Sequence, residues 1–404
     1  MKSTFRLAAC LLLTAVLLPG CATLWEREIY ERSAHLAQED GGIQAALTVN
    51  SHDSLRTTII DVIRRGESEA DIRVTDYPGG LTSFTISTLL HEIQTREPIG
   101  AYAVDFIALA EFTHVLSQYT ITLNIVYKDE SRPVIPEVRG GRELEAAVHE
   151  ALLEYSTLLT VEMPYYYAQE HDPEAMVRSF YYNNPAWAVE YPGITVNLYP
   201  SSGDSLRRIV ELELVWQTPN DELRQKARDT ENGAEALLEG RPEFLSDSAE
   251  ENTAQTVLWL YDALCGAVEY DADAAINAAA TGEKQGIDPY TAYGALVGGI
   301  AVGEGHAMAF KLLCSKLGIS CYVVPGRWNG NEHSWNLVRI GNTWYHLAAA
   351  LDNRGPVPTY DFFLLDDETA EAERFEWSKT LYPAAVPGVW AREGILALAA
   401  DNEE

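Results

Sequence analysis

Cysteine is scarce in this chain, basic residues are outnumbered, and long apolar runs are missing beyond the N-terminus. Lys and Arg number 29 against 60 Asp and Glu, for a formal net charge of −31. Nucleic acid and anionic lipid headgroups would repel such a surface, so nucleic-acid binding is excluded as an expectation. The charges are scattered and read as solvated faces. Five cysteines and nine histidines occur in 404 residues, with no Cys-x-x-Cys and no His-x-x-x-His spacing. No metal site is therefore expected, and no cofactor. After the first twenty residues no stretch approaches the roughly 18 uninterrupted apolar residues that a membrane-spanning helix needs.

What is present begins with the leader. Lys2 and Arg6 precede an apolar run from Leu7 to Leu18, which ends in Leu18-Pro19-Gly20-Cys21. This is the layout of a signal peptide, and the tetrapeptide resembles a bacterial lipobox, although proline is less usual at its second position. The resemblance implies lipidation of Cys21. It also implies attachment to a cell membrane, with the chain on the extracytoplasmic face. Two acyl chains give the stable hold that one cannot. Cys10 leaves with the leader, so Cys265, Cys314 and Cys321 remain. An odd number excludes a full disulfide framework; whether Cys314 and Cys321 pair across a helix-to-strand turn stays open.

Residues 50–220 read as two copies of one α+β unit. Each opens with an amphipathic helix, marked by Leu55, Ile59, Val62 and Ile63 and by Leu144, Val148, Ala151 and Leu152. A short strand follows (Ile72–Thr75, Leu159–Glu162), then a second helical segment, then a proline (Pro98, Pro185) expected to introduce another strand. Each copy closes on an alternating strand, Tyr119–Tyr127 and Arg208–Trp216. Val161 and Pro185 each lie 87 positions after Val74 and Pro98, and Trp216 lies 89 after Tyr127. Tyr165–Tyr167 and Tyr181–Tyr182 read either as a groove for sugar or peptide or, preferably, as packing seams. Residues 221–250 are polar and Glu-rich and read as a linker or surface helix.

The last third changes character. Val257-Leu258-Trp259-Leu260-Tyr261 is helical. Further on come Gly294-Ala295-Leu296, Glu304-Gly305-His306-Ala307 opening a helix that Gly318 stops, and then strands around Val323-Val324, His333-Ser334-Trp335-Asn336 and Thr343-Trp344-Tyr345-His346. This ordered series resembles the bacterial transglutaminase-like family over about residues 252–385. The resemblance implies a papain-like core with a cysteine opening the helix, a histidine on the next strand pair and an aspartate after the Trp-Tyr strand. A thiolate at a helix N-terminus beside an imidazole attacks acyl carbon, and the carboxylate orients the imidazole.

Two of those three positions have changed. Gly303 stands where the nucleophile belongs and Ala348 where the acid belongs; His333 alone matches. Cys314 lies eleven residues further along the helix, about 16 Å away at 1.5 Å per residue. Cys265 reads as a packed residue, and Asp352 is the one carboxylate near the vacated acid position. His333 reads as a leftover base or a packed histidine. Glu304, His306, Trp328, Trp335, Trp344 and Tyr345 are the candidates for lining a cleft.

The expected organisation is α+β: a signal peptide (1–20), a tether (21–49), repeats (50–136 and 137–220), a linker (221–250), a transglutaminase-like domain (251–390) and an acidic tail (391–404). The expected function is non-enzymatic, with a degenerate domain binding a cell-wall peptide, a glycan or an envelope protein. Two rivals stand: a cysteine-independent amide hydrolase or acyltransferase using His333, and a structural envelope protein whose repeats carry the function.

Overall fold

A computed structural model describes residues 47–128, 135–203, 205–282, 284, 286–353, 355 and 358–401. The expected signal peptide, Cys21 and nearly all of the tether lie outside the described residues. The described chain is mixed α and β.

Its first part is β1 (Leu47–Val49), α1 (His52–Arg65), β2 (Glu69–Thr75), α2 (Ser83–Arg96), α3 (Pro98–Ala103), β3 (Val104–Val115) and β4 (Gln118–Tyr127). The sheet order is β1-β2-β4-β3, with β1 parallel to β2 and the other pairs antiparallel. Local chemistry sets the boundaries of α1. Ser51 and Ser54 form a reciprocal capping box, and Gly66 closes the helix at φ 73°. Its apolar stripe Leu55, Ile59, Val62 and Ile63 meets Ile121, Leu123 and Ile125, the inward face of β4. Pro98 does not introduce a strand. It opens α3, where the missing N–H is one a helix would leave unpaired anyway, and the strand begins at Val104.

The second part is α4 (Gly141–Leu153), β5 (Leu158–Met163), α5 (Pro173–Asn183), β6 (Gly193–Tyr199) and β7 (Arg208–Val215), with strand order β5-β7-β6. In both parts the last strand is internal: β4 lies between β2 and β3, and β7 between β5 and β6. A parallel bridge joins Glu137 to Glu162 beside β5, much as β1 lies beside β2. Pro185 lies in a turn, and β6 starts only at Gly193. Of the tyrosines, Tyr181 is buried against the core of the C-terminal part, while Tyr165 and Tyr167 are exposed.

Glu162 joins the two parts. Its Oε1 accepts from Arg64 Nη2 of α1 at 2.8 Å and from Arg207 Nη1 at 3.0 Å. Burial alone would raise its pKa, but the two guanidinium groups overcome that and hold it below the usual carboxylate range. A depressed pKa contributes stability above the unfolded value, and this is lost as pH falls through the folded one. Glu162→Gln is therefore expected to cost about 1–3 kcal/mol near neutral pH, discounted because both arginines are partly exposed. In thermal unfolding the gap to wild type should narrow as pH drops below about 4; a gap constant with pH would rule out the charge pairing as its source.

Residues 221–250 are not simply a linker. They hold α6 (Asn220–Leu238), whose Leu223, Ala227, Thr230 and Ala234 are buried. Gly233 touches the next part so closely that a Cβ there would lie 2.9 Å from the Leu296 carbonyl oxygen.

The C-terminal part then runs α7 (Ala249–Ala267), β8 (Glu269–Tyr270), α8 (Ala272–Thr281), a 3-10 turn (Asp288–Tyr290), α9 (Ala292–Leu296), β9 (Ile300–Ala301), α10 (Gly303–Lys316), β10 (Cys321–Trp328), β11 (Asn331–Ile340), β12 (Thr343–Leu347), α11 (Ala349–Asp352), α12 (Asp367–Ala372), β13 (Phe375–Glu376) and α13 (Arg392–Asp401). Its main sheet has the order β12-β11-β10-β13. Helix α10 packs between this sheet and α7, and Met308, Phe310, Leu313 and Cys314 are fully buried. Within the expected acidic tail, Arg392–Asp401 is helical. Ile395 is fully buried in the core cluster, where this helix packs against α7.

Candidate functional site

Helix α10 begins at Gly303 after an extended Val302, with no side-chain cap. His333 projects from β11, in register with Gly326 of β10. The fold brings residues 303 and 333 into contact. A Cβ built on Gly303 would lie 2.3 Å from His333 Cε1, 2.6 Å from Nδ1 and 3.1 Å from Nε2. Atoms do not approach that closely, so the imidazole fills the space where any side chain of residue 303 would begin. On its other side the ring faces Trp328, centroid to centroid 6.3 Å, and Trp328 meets Phe362 edge-on.

Residue 348, the expected acid position, has apolar surroundings. Ala348 is buried among Val324, Trp335, Leu337, Leu351, Leu365 and Phe375, and its N–H donates to the Phe362 carbonyl at 2.9 Å. Asp352, the carboxylate expected near this position, is engaged by other groups. It is completely buried and accepts from the Tyr261 hydroxyl, from Thr359 Oγ1 at 2.7 Å, and from the N–H groups of Asp361 and Phe362, each at 3.0 Å. These donors saturate its oxygens, so it ties α7 and the 358–362 loop to α11. Burial and the Asp352 charge push the Tyr261 phenol well above its ordinary pKa.

Three of the expected cleft residues are core residues instead. Trp335 is buried, and its Nε1–H donates to His346 Nδ1 at 3.0 Å; His346 Nε2 lies 2.9 Å from Asp367 Oδ1. An indole N–H can only donate, so Nδ1 accepts and the imidazole proton sits on Nε2, facing the carboxylate. Burial, outweighing Asp367, holds the His346 pKa below its ordinary value. This His–Asp pair escaped the sequence reading, although the Trp-Tyr-His strand and the Asp366-Asp367 pair were both visible. Both ring nitrogens are engaged, which leaves none to take a substrate proton. Tyr345 is buried, and its oxygen accepts from the Trp390 N–H at 3.4 Å under the C-terminal segment. His306 is buried too. Its Nδ1–H donates to the Val302 carbonyl at 3.0 Å, its Nε2 faces Asn353 Nδ2 at 3.3 Å, and burial lowers its pKa to about 4. The physical reason is shared: each lies on the inward face of an element that α7, α10 or the 358–390 segment covers.

Glu304, Trp328 and Trp344 stay half-buried. Glu304 binds the Tyr182 hydroxyl of α5 at 3.3 Å and Lys284 Nζ, and Trp344 packs on Tyr322 with centroids 5.2 Å apart. Cys265, Cys314 and Cys321 are all free and buried. Cys265 is buried with Sγ 3.7 Å from the Ala349 carbonyl oxygen, and burial raises the pKa of both Cys265 and Cys314. An open groove of about 370 Å³ lies at the β10–β11 turn, lined by Asn329, Gly330, Glu371, Arg374, Phe375 and Glu376. It includes neither Gly303 nor His333. Among the described residues no group of three or more His, Cys, Asp or Glu is placed to hold a metal ion, and no helix is long and apolar enough to cross a membrane.

No protein-family model matches this chain, and no curated protein does. Solved structures similar to it include a TGase, at 12% identity and a TM-score of 0.26 over 48% of this chain and 50% of that one. Another, described as a candidate cysteine protease from Cytophaga hutchinsonii, shares 16% identity at a TM-score of 0.22, over 39% of this chain and 62% of that one. A third, a candidate protease from Parabacteroides distasonis, shares 10% identity at a TM-score of 0.21, over 61% of this chain and 49% of that one. The match spans about half to three-fifths of those chains. At such scores the likeness assigns no residue and no chemistry.

Proposed function

We propose that this chain carries a catalytically silent relative of a thiol acyl-transfer fold, used to bind or scaffold a peptide, glycan or protein of the cell envelope, and held at the membrane by lipid on Cys21. The observation behind it is the contact between Gly303 and His333. A working site needs a thiol between the helix N-terminus and the imidazole, and here the imidazole itself fills that volume. Gly303 supplies no nucleophile for a base to activate, and Ala348 supplies no carboxylate. General-base help to water alone is a far weaker device than a covalent intermediate. The open groove beside Asn329 and Arg374 offers polar groups and one aromatic ring to a chain-like ligand.

The test is to incubate the purified chain with glutamine- and lysine-containing peptides and with peptidoglycan fragments, and to identify products by mass spectrometry beside His333→Ala. The expected result is no product above the His333→Ala level. Product that depends on His333 would overturn the silent reading. Titration calorimetry with the same fragments examines the binding role, and no binding to any of them would move the function to residues 47–220.

A further inference from the structure

We propose that Cys314 and Cys321 are a redox-responsive pair that closes to a disulfide, clamping the end of α10 to the start of β10. Both are free thiols in this structure. Helix α10 ends in a paired-bond reversal. The Ile319 N–H donates to the Cys314 carbonyl at 2.9 Å, the Gly318 N–H donates to the Ser315 carbonyl at 3.1 Å, and Gly318 takes φ 71°. That hydrogen-bond pattern folds the chain back across the last helical turn. Two residues beyond Ile319, Cys321 begins β10, whose approach is fixed by the Arg339 N–H on the Ser320 carbonyl at 2.9 Å. Cys314 and Cys321 therefore lie in the same buried core, 0% and 3% exposed, and Cys321 is among the causes, after burial, that raise the Cys314 pKa.

The surroundings favour this pair over others. Asn336 Nδ2 lies 3.5 Å from Cys321 Sγ while also donating to the Ala307 and Tyr322 carbonyls, which fixes the sulfur between α10 and β11. Cys265 is turned to the Ala349 carbonyl instead. Only six residues separate the two cysteines, and the reversal already holds them in a turn, so closure asks little further ordering of the folded chain.

The chemistry needs a disulfide oxidant such as oxidised glutathione. One thiol loses its proton and attacks a sulfur of the oxidant, releasing one glutathione thiolate and leaving a mixed disulfide. The second thiolate displaces the other glutathione. Two protein thiols become one cystine, and the oxidant takes two electrons and two protons as two thiols. Burial makes attack on the folded state slow, so the pair is best read at equilibrium. The bond would fasten the helix that starts at Gly303 to the strand whose Gly326 stands opposite His333.

The experiment unfolds the purified full chain and refolds it in glutathione buffers of graded ratio. Remaining thiols are then alkylated and the peptides mapped by mass spectrometry. At equal reduced and oxidised glutathione, the expected product is a Cys314–Cys321 linked peptide two hydrogens lighter, with Cys265 alkylated throughout. The linked form should melt about 2–6 °C above the dithiol form. Cys321→Ser should leave Cys314 alkylated and remove the difference. A dithiol at every ratio, glutathione adducts at these positions, or pairing with Cys265 would overturn the proposal. The wild-type map decides even if the variant folds poorly.

Discussion

Gly303→Ala is expected to destabilise this protein by about 1–3 kcal/mol, and to become neutral or slightly stabilising once His333 is also alanine. The reason is a sign contest between two effects. Gly303 is helical and outside the left-handed region, so alanine would ordinarily help α10 by up to about 1 kcal/mol. Against that, the new Cβ would stand 2.3 Å from His333 Cε1. The imidazole must then swing away from the helix or strain its own strand, and either loses the contacts that now fill the volume. Truncating His333 removes the opponent and leaves only the helical gain. Urea unfolding of the wild type, the two single variants and the double variant measures the coupling. Equal effects of Gly303→Ala in both backgrounds would mean that the imidazole does not fill this volume. For the same reason Gly303→Cys is expected to give no acyl transfer: its Cβ meets the ring, and no carboxylate stands at Ala348.

Asp352→Ala is expected to be costlier still, about 3–5 kcal/mol. The carboxylate is 0% exposed, and removing it leaves the Tyr261 and Thr359 hydroxyls and the amide groups of Asp361 and Phe362 facing a cavity. Asp352→Asn should fall between, since it keeps one acceptor oxygen but turns an amide N–H₂ toward donors. Denaturant midpoints rank the three proteins. A loss under about 1 kcal/mol for alanine would mean that the 358–362 loop is not held by this residue.

Read along the chain, the helices and strands of residues 52–215 were legible because their evidence is local. Leu55, Ile59, Val62 and Ile63 repeat at helical spacing, and Ile121, Leu123 and Ile125 alternate as one face of a strand must. The helix opening at Gly303 and stopping at Gly318 was legible for the same reason, as was the want of a thiol and a carboxylate at residues 303 and 348, since a missing side chain needs no coordinates. Proline misled at Pro98, because a fixed φ suits the first turn of a helix as well as an extended stretch.

Partnership was not legible. Sequence assigns Trp335, Tyr345 and His306 their aromatic and polar character, but not which neighbour covers them. The 358–390 segment comes from far along the chain to cover Trp335 and Tyr345, and Asn353 meets His306. Nor could spacing show that His346 meets Asp367, that Glu162 holds two distant arginines, or that Asp352 gathers Tyr261, Thr359, Asp361 and Phe362. Composition and periodicity determined which elements form, and the sequence alone shows that residues 303 and 348 carry neither a thiol nor a carboxylate. Only tertiary packing decided that His333 occupies the space left at Gly303, because that contact joins residues thirty positions apart through a shape that no local pattern encodes.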